Sequence, residues 1–456
     1  MLTLIFTAIF SVASLGIAGV VNYQLQAAKK RVAVNSALNI AEAGLNYYKW
    51  HLKHAPEDFY DGTGAPGSYL HDFTDPEGGS VGKFQLDITA PSACSNTVNI
   101  KSTGWTNEYP NTRREVQIKY GKKSLADYAF VSHLDAWFTE GEALHGPVHS
   151  NGGIRQDGTN DSVVSSAVPT YTCTPAHGCN NVTKPGVWGT GEEDALWQFP
   201  TDNFDFDAVA ADYDDLLNIA TSTGIYLPQR GLGYHLVFKN TGRVDVYRVT
   251  KLRNPVNYQD TEGKSHRGSW DIEREEPHDT YFDYPLPAVC GIIFVEDNVW
   301  VEGVVEGKVT VVAVKLPQTQ NNMRTIVISG NLIYNQKDGS DVLGLIAQKD
   351  ILVPLYSAPA NLEINAAMMA QNGAVYRPYY SSSYSPYHLR TAISIYGSII
   401  TKKIWTWNWT GGGGSIISGY QTTNSTYDPR LTYGPPPGFP TIDEYNILQW
   451  EEVTEK

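Results

Sequence analysis

The stretch LTLIFTAIFSVASLGIAGVV, residues 2–21, decides how this chain begins, because it contains no charged residue. A helix of about twenty residues spans about 30 Å, the thickness of a bilayer core. Apolar residues then recur at helical spacing, which predicts one helix that ends at about Leu52 and has an amphipathic second half. The predicted stripe consists of Leu25, Ala28, Val32, Asn35, Leu38, Ala41, Leu45, Tyr48 and Leu52.

The charges around this stretch argue against a secretory signal peptide. A signal peptide has a basic segment before its apolar run, whereas the first charge here is Lys29. The basic cluster Lys29–Arg31, acting alone, would keep the rest of the chain in the cytoplasm. Because the remaining composition is typical of an extracellular protein, we expect that Met1 is a processed amino terminus, left after a basic leader is cleaved.

The helix resembles a known family. A membrane helix that begins at the first residue and continues as an amphipathic helix resembles a mature type IV pilin. Residues 41–48, AEAGLNYY, resemble the AEAG segment of PilX-like minor pilins. Two positions depart from the family: Ile5 stands where most pilins have Glu, and Asn22 stands where many have a helix-loosening Pro. Gly16 and Gly19 can supply that loosening, since Gly in a helix costs about 1 kcal/mol relative to Ala.

The resemblance implies that a leader peptidase cuts before the first residue and that the helices bundle into a filament core. Small residues let helix backbones approach closely in a membrane. The positions expected to pack in the core are Ile5, Ser11, Gly16, Gly19, Ala27, Ala37 and Ala41. Small residues along the helix favour a repeating subunit, whereas Ile5 favours a tip subunit, because pilins without the Glu are often placed at the tip.

Composition limits the classes of protein that this chain can belong to. Its 456 residues allow more than one hydrophobic core. Charged residues make up 18%, below the usual quarter, and Tyr, Trp and Gly are abundant, a mixture typical of a β-rich surface protein. A net charge of −14 argues against nucleic acid as a partner, because phosphate binding needs a basic face.

The four cysteines fit disulfides in an oxidising compartment. Cys173 and Cys179 enclose a short loop and are expected to pair locally, which leaves Cys94 to pair with Cys290. A zinc site with His177 as a further ligand is the alternative, but the paired spacing of zinc motifs is missing.

Short strand-like segments follow the helix. Residues 82–89, 97–104 and 112–120 predict an antiparallel meander, since apolar and polar residues alternate in the last of them. From residue 125 onward, short apolar pieces and turns repeat at roughly twenty-residue intervals, which is typical of a parallel β-helix. A β-sandwich is the alternative. The paired pieces include 292–294 with 299–301, 326–328 with 332–333, 343–345 with 351–353, and 393–395 with 399–400.

The predicted fold class is α+β and mainly β, with a long amino-terminal α-helix, an antiparallel β meander, and a right-handed parallel β-helix-like domain that carries an inserted α/β segment. The predicted domains are the membrane and filament-core helix 1–53, the meander 54–124, the β-helix-like domain 125–400 with its insertion 159–286, and a capping tail 401–456 rich in Gly, Pro and aromatic residues. Inside the insertion, the patterns predict a helix over 205–224 and a hairpin of 234–238 with 244–249.

Candidate chemical sites are few. The densest acidic cluster is interpreted as the solvated start of a helix, with a Ca²⁺ site as the alternative. It consists of Asp202, Asp205, Asp207, Asp212, Asp214 and Asp215. His145 and His149, near Asp157, would share one face of a strand, either as a metal-ligand pair or as a polar ladder, and we favour the ladder. The acids near the later coils do not form a recognisable catalytic pair: Asp338, Asp341, Asp350 and Glu363.

Aromatic clusters and sequons complete the candidates. The aromatic clusters are either exposed platforms that stack on sugar rings or on another subunit, or ordinary packing of loops. One cluster consists of Tyr376, Tyr379, Tyr380, Tyr384 and Tyr387, and the other consists of Trp405, Trp407 and Trp409. The N-x-S/T sequons that are candidates for glycosylation begin at Asn160, Asn181, Asn408 and Asn424.

These patterns together predict a structural subunit of an extracellular type IV pilus-like filament. It would insert in the inner membrane before assembly and then reach the cell surface. Its expected partners are copies of itself or other pilins, together with the pilus assembly machinery. We expect no cofactor, no metal, no catalytic residue and no enzymatic activity. The alternatives are a minor tip pilin that binds a surface or glycan, and a membrane-anchored β-helix enzyme that acts on polysaccharides.

Overall fold

The fold is taken from a computed structural model, which describes residues 2–91, 94–95, 97–140, 142–191, 194–206, 213–411 and 415–453. The chain divides into two compact units. The first unit comprises Met1–Lys122 and Asp443–Lys456, and the second unit comprises Lys123–Ile442.

The first unit is built on one continuous helix, α1, Leu2–His54. Only its second half packs against a sheet. The buried side chains of α1 are Ala33, Ala37, Ile40, Ala41, Leu45, Tyr48 and Leu52. The predicted stripe is therefore right from Leu38 onward, since Leu38 is partly buried against this core, and wrong before it. Leu25 and Val32 are exposed, since burial of the helix begins only at Ala33.

An antiparallel sheet covers this half of α1. Its strands, in spatial order, are Ser68–Thr74, Ser80–Thr89, Thr97–Thr106, Arg114–Ser124 and Thr441–Val453. Leu86, Val98, Ile100 and Val116 point into the core that the sheet shares with α1, and polar residues alternate with them. The first strand, Ser68–Thr74, precedes the three strands that the sequence predicted. The last strand comes from the far end of the chain, which no local pattern indicates.

Two glycines set the close approach of α1 to this sheet. Gly44, in the AEAG segment, is buried, and a Cβ there would overlap Ser102 and the Phe84 ring. From the sheet side, a Cβ on Gly104 would overlap the helix backbone itself. The glycine of the AEAG segment therefore has a packing role, because any side chain would push the helix away from the strands.

The second unit is organised around parallel ladders. In the first ladder, one inward-facing stack runs through the core, and every neighbouring pair in it is parallel. The stack consists of Ile225, Ile293, Val311, Leu345, Met368, Ile399, Phe130, Val148, Val164 and Trp197. The strands that carry it are Ile225–Leu227, Gly291–Val295, Lys308–Ala313, Val342–Ala347, Asn361–Ala370, Leu389–Thr401, Phe130–Ser132, Val148–Ser150, Val164–Ser166 and Trp197–Gln198.

Further ladders run beside the first. In the second ladder, the parallel strands are Tyr234–Lys239, Val299–Val305, Ile326–Tyr334, Ile351–Leu352 and Val375–Tyr376. A separate set of parallel strands consists of Ala136–Phe138, Ile154–Gln156 and Val187–Trp188. The third ladder joins Gly303, Leu332, Ile364, Ile395 and Ser425, and Ala143–Leu144 pairs with Thr159–Asn160. The chain therefore passes through the ladders in turn. We call one such passage a coil.

The coils are stacked in an order that differs from the order of the chain. The strand at Phe130 pairs with the strand at Ile399, so that the first and last coils of the unit meet in the middle of the stack. The hydroxyl of Ser398 donates to the carbonyl of Tyr128, 270 residues away. The predicted insertion 159–286 is correspondingly wrong in its bounds, because Val164–Ser166, Trp197–Gln198 and Ile225–Leu227 are members of the first ladder.

The chain crosses from one end of the stack to the other along the outer face of the first ladder. Phe204 exchanges two hydrogen bonds with the side chain of Asn151, of 2.8 Å each. Further along, helix α2, Tyr213–Ser222, buries Tyr213, Leu216 and Ala220. Of the predicted helix 205–224, residues 213–222 are helical and residues 205–206 and 223–224 are not, while residues 207–212 lie outside the described residues.

A proline-rich segment, residues 428–440, covers another part of this face. Thr310 donates a hydrogen bond of 2.6 Å to the carbonyl of Pro437, and a Cβ on Gly344 would meet Pro436 and Phe439. Strands such as Val342–Ala347 are therefore buried on both sides, which explains their continuous apolar sequence. The predicted capping tail 401–456 is in fact three elements: ladder strand up to Thr426, this cover, and the strand Thr441–Val453.

Antiparallel hairpins decorate the stack. The predicted hairpin is present as Tyr234–Lys239 with Arg243–Leu252, and Ile272–Pro277 and Tyr284–Pro285 pair with its second strand. The other hairpins are Thr170–Cys173 with Val182–Pro185, Val256–Gln259 with Ser265–Gly268, and Asn408–Thr410 with Ile416–Thr426. Short 3₁₀ turns occur at Leu125–Asp127, Pro175–His177, Asp194–Leu196, Ser382–Tyr384 and Pro429–Thr432.

Candidate functional site

The candidate assembly surface is the first half of α1. Its large apolar side chains are more than half exposed, including Phe6 at 70%, Phe10 at 75% and Leu15 at 73%. Among the described residues, one helix, Ile5–His54, is long and apolar enough to cross a membrane, by length and composition. Water does not solvate such a surface favourably, so it needs lipid or other helices around it.

The residues expected to pack in a filament core divide into two groups. Ile5, Ser11, Gly16, Gly19 and Ala27 are exposed and available to a neighbour. No atom of the described residues lies within 4 Å of a Cβ placed on Gly16 or Gly19, so another helix can approach closely there.

Ala37 and Ala41 are a correction to that set. Both are fully buried within the first unit, next to Gly104 of the sheet. Small side chains at these positions serve the packing of α1 on its own sheet, and they are not available to another subunit. The processing site at Met1 lies outside the described residues.

One cysteine pair is in place. Cys173 and Cys179 form a disulfide with their Cα atoms 5.5 Å apart, and it closes the hairpin that packs beside Trp137 and Arg155. His177 sits in the loop between the cysteines, where its carbonyl accepts a hydrogen bond of 2.8 Å from Arg155. Because both sulfur atoms are joined in the disulfide, this pair does not offer thiolate ligands to zinc. Pairing of Cys94 with Cys290 stays a prediction.

The two predicted histidines do not converge on one site. His145 is half exposed and pairs with Asp161, at 2.7 Å from Nδ1 to Oδ2. His149 is buried, with Nδ1 2.9 Å from the Ser165 hydroxyl and Nε2 3.2 Å from Asn151 Oδ1. In the part of the chain that the structure describes, no three His, Cys, Asp or Glu side chains are grouped to hold a metal ion.

His149 belongs to a polar network that holds residues 198–206, which we call the crossing segment, against the first ladder. Its imidazole packs against the Phe204 ring at a tilt of 52°, with centroids 4.2 Å apart, and Asn151 links it to the Phe204 backbone. Burial lowers the pKa of His149 to about 4, although the hydrogen bond with Asn151 acts in the opposite direction. A neutral imidazole at this position is therefore a structural hydrogen-bonding group and not a poised base.

His149 should make the second unit sensitive to acid. An unfolded His titrates near pH 6.5. As pH falls from 6.5 toward 4, the unfolded chain binds a proton that the folded chain does not. The stabilisation that depends on a neutral His149 is thus fully present above pH 6.5. By pH 4, about 2–3 kcal/mol of the free energy of unfolding is lost. Urea unfolding at pH 7 and pH 4.5 measures this, and His149→Gln should lose less stability on acidification than the natural chain.

Asp127 supplies the control, because its sign is opposite. Burial raises the pKa of this carboxyl to about 6, with Lys123 and Thr432 opposing the shift. Between pH 3.8, the ordinary pKa of an Asp carboxyl, and pH 6, the folded chain keeps a proton on Asp127 that the unfolded chain releases. Acidification through this range therefore stabilises the fold through Asp127. Asp127→Asn should consequently be more acid-sensitive than the natural chain. Identical pH dependence in all three proteins would contradict both assignments.

The predicted acids serve the backbone. Asp341 accepts hydrogen bonds from the backbone N–H groups of Gly307 and Gln336, at 2.7 and 2.6 Å. Asp338 accepts from Ser340, and Glu363 pairs with Lys337 at 3.0 Å. In the acidic cluster, Asp202, Asp205, Asp214 and Asp215 are exposed, and Asp207 and Asp212 lie outside the described residues.

The sequons differ in accessibility. Asn160 is buried, and its side-chain amide donates a hydrogen bond of 2.9 Å to the carbonyl of Ser162, so the folded chain does not present it for glycosylation. Asn181 and Asn424 are exposed, and Asn408 is partly buried. The candidate glycosylation sites are therefore reduced to Asn181, Asn408 and Asn424.

The aromatic clusters are packing clusters around a residue that sequence analysis missed. Tyr376, Tyr380 and Trp407 are buried, while Tyr387 remains 40% exposed. Arg377 is completely buried among them, with its guanidinium carbon 5.7 Å from the Tyr380 ring centroid. In the sequence, the only sign of this burial is that Arg377 stands between aromatic residues. That sign is weak, since most Arg side chains are exposed.

No protein-family model and no curated protein matches this chain. Among solved structures, it is similar to the crystal structure of the competence-associated pilin ComZ from Thermus thermophilus, with 13% identity, 93% of this chain and 98% of that chain covered, and a TM-score of 0.31. A likeness at this TM-score does not establish a common fold, so the function proposed next rests on the residues of this chain.

Proposed function

We propose that this protein is a structural subunit of an extracellular type IV pilus-like filament. The observation that carries the proposal is the division of α1 into two halves. Its second half is buried on its own sheet, and its first half is apolar and exposed. A helix of this kind is anchored to its folded unit at one end and is available for association along the other.

The chemistry of the exposed half favours a bundle of like helices. Lipid surrounds it before assembly, and neighbouring helices replace the lipid in the filament. Association of helices in a membrane depends on small residues that let backbones approach, and Ser11, Gly16 and Gly19 are exposed among the large apolar residues. The charged cluster Lys29–Arg31 follows directly and marks where the apolar surface ends.

We propose further that the second unit is a right-handed parallel β-helix. Parallel ladders that repeat along the stack support this architecture, and crossover connections between parallel strands are right-handed in the great majority of proteins. Such a unit is rigid and presents long faces. We assign it to the outer surface of the filament, and assign no catalytic role to its acids.

The remaining proposals follow the same function. Met1 is the processed amino terminus, Cys94 pairs with Cys290, and the protein resides in the inner membrane before it reaches the cell surface. Its partners are copies of itself or other pilins and the pilus assembly machinery. A tip subunit is the second candidate, because Ile5 occupies the position of the usual pilin Glu.

The test is the composition of filaments sheared from cells and purified. Gold-labelled antibodies against the second unit should decorate them along their length, and mass spectrometry should identify this chain as an abundant component. Val12→Glu, on the exposed apolar half, should remove the chain from filaments because it places a charge in the helix bundle. Val182→Glu, at an exposed hairpin position of the second unit, is the matched control and should have no effect.

Other results would change the assignment. Labelling confined to filament ends would replace the repeating subunit with the tip subunit. Normal incorporation of the Val12→Glu chain, or filaments that lack this protein altogether, would overturn the proposal.

A further inference from the structure

A small polar pocket lies on the second unit, beside the second ladder. It has a volume of about 70 Å³ and is enclosed between the coil at Asp350–Tyr376 and the hairpin Val256–Gln259 with Ser265–Gly268. A single buried water needs about 10–15 Å³ of such space, so the pocket accommodates several waters or one small polar ring. The hairpin is held in place by Gln259 and Tyr379, whose backbones exchange hydrogen bonds of 3.1 and 3.0 Å.

The charged groups around the pocket balance one another. Asp260 pairs with His266 at 2.7 Å, and Tyr258 stacks on that imidazole. At the rim, Lys403 pairs with Glu262 at 2.9 Å and joins the coil to the hairpin loop. Because acids and bases alternate, the pocket has no strong preference for a cation or an anion.

Tyr376 and Asp350 present polar atoms to the pocket. Tyr376 is 3% exposed and lines the cavity, and the described residues form no hydrogen bond with its hydroxyl. Asp350 accepts a hydrogen bond of 2.9 Å from the backbone N–H of Ala374 through Oδ1, and its Oδ2 lies 3.6 Å from Lys349, at ion-pair distance. The Tyr376 hydroxyl is therefore the group with which a ligand in the pocket can form a new hydrogen bond.

Three aromatic side chains contribute to the mainly polar lining of the pocket. They are Tyr258, Trp270 and Tyr376, and the indole N–H of Trp270 donates a hydrogen bond of 3.3 Å to the Tyr258 hydroxyl. Asn372 adds an amide that is anchored to the carbonyl of Gln348 at 3.0 Å. Apolar ring faces combined with a few convergent polar groups are the usual features of a small-ligand site.

We propose that this pocket binds a single neutral hexopyranose unit. A sugar ring offers apolar C–H faces to the aromatic side chains and hydroxyls to Tyr376 and Asp350, and it carries no charge that the balanced rim would repel. The proposal does not depend on filament assembly, since it concerns one face of the second unit. It adds a glycan-binding role to a chain whose proposed function is structural.

Binding can be measured on the full chain in lipid nanodiscs, because detergents with sugar head groups would compete. The probes are D-glucose, D-galactose, N-acetylglucosamine and the methyl glycosides of the two hexoses, titrated to about 50 mM with saturation-transfer NMR and calorimetry. At least one hexose should bind with a millimolar Kd. Binding of its methyl glycoside would indicate the end of a glycan chain as the ligand, and loss of binding on methylation would indicate the free sugar.

Variants locate the site. Tyr376→Phe removes only the unpartnered hydroxyl and should weaken binding at least ten-fold, and Asp350→Asn should weaken it as well. Tyr433→Phe, at an exposed position away from the pocket, should bind as the natural chain does. Melting temperatures confirm that each variant is folded. No binding by any sugar, equal binding by Tyr376→Phe, or a response to calcium chloride alone would overturn the proposal.

Discussion

A chain that lacks residues 1–32 will be soluble, folded, monomeric and absent from filaments. The truncation removes the whole exposed apolar half of α1 and stops just before Ala33, the first buried position of the helix. The packed half and its sheet are left intact, so the melting temperature should stay close to that of the full chain in nanodiscs. Light scattering measures the oligomeric state, and purified surface filaments report incorporation.

A longer truncation is the matched control. Removal of residues 1–44 also takes away Ala37, Ile40 and Ala41, which fill the core between helix and sheet. Loss of the Ile40 side chain from the core alone costs about 2–5 kcal/mol, and loss of the buried alanines uncovers the sheet as well, so the first unit should unfold. If the shorter truncation still formed long filaments, the role of the helix as the filament core would be wrong. If the longer one remained as stable as the full chain, the assigned packing would be wrong.

Arg377→Ala should destabilise the second unit by about 4 kcal/mol, a large effect for one substitution. The guanidinium is fully buried, and no carboxylate of the described residues forms an ion pair with it. It donates instead to the backbone carbonyls of Pro354 and Tyr387, at 3.1 and 2.8 Å, and lies 5.3 Å from the Tyr420 ring centroid. Burial lowers its pKa from the ordinary value. The substitution leaves a cavity and unpartnered carbonyls in two loops.

Companion variants separate charge from geometry. Arg377→Lys keeps the charge but cannot reach several carbonyls at once, because an ammonium lacks the planar fork of a guanidinium. It should therefore recover less than half of the loss. Arg267→Ala, at an exposed position of the same unit, should change stability by less than about 0.5 kcal/mol. Denaturant unfolding measures all three, and an Arg377→Ala chain as stable as the Arg267→Ala control would contradict the assignment.

Several features were predictable because neighbouring residues decide them. An uninterrupted apolar run can form only a helix that is surrounded by lipid or other helices, whatever the rest of the chain does. The hairpin at Tyr234–Leu252 turns at Gly242, whose φ of +65° favours glycine. The local disulfide of Cys173 and Cys179 depends on a short loop. In each case, the relevant contacts lie within a few turns or one hairpin.

The failures involve partners distant in sequence. Nothing near Ala37 or Ala41 distinguishes a residue that packs on its own sheet from one that packs on another subunit, since small side chains suit both. The burial of Asn160 and the coverage of His149 by Phe204 likewise depend on which segment crosses which face.

The long helix, its apolar first half, the meander that follows and the repeated short strands of the second unit could all be predicted from local patterns. The order in which those strands stack, with Phe130 beside Ile399, depends on contacts between distant segments. The physical reason is that a strand's periodicity specifies which face is buried, whereas its neighbour in a ladder is chosen by the complementary surface of another coil. The position of the crossing segment over the first ladder, the burial of Arg377 and the formation of the pocket at Tyr376 all depend on this stacking order.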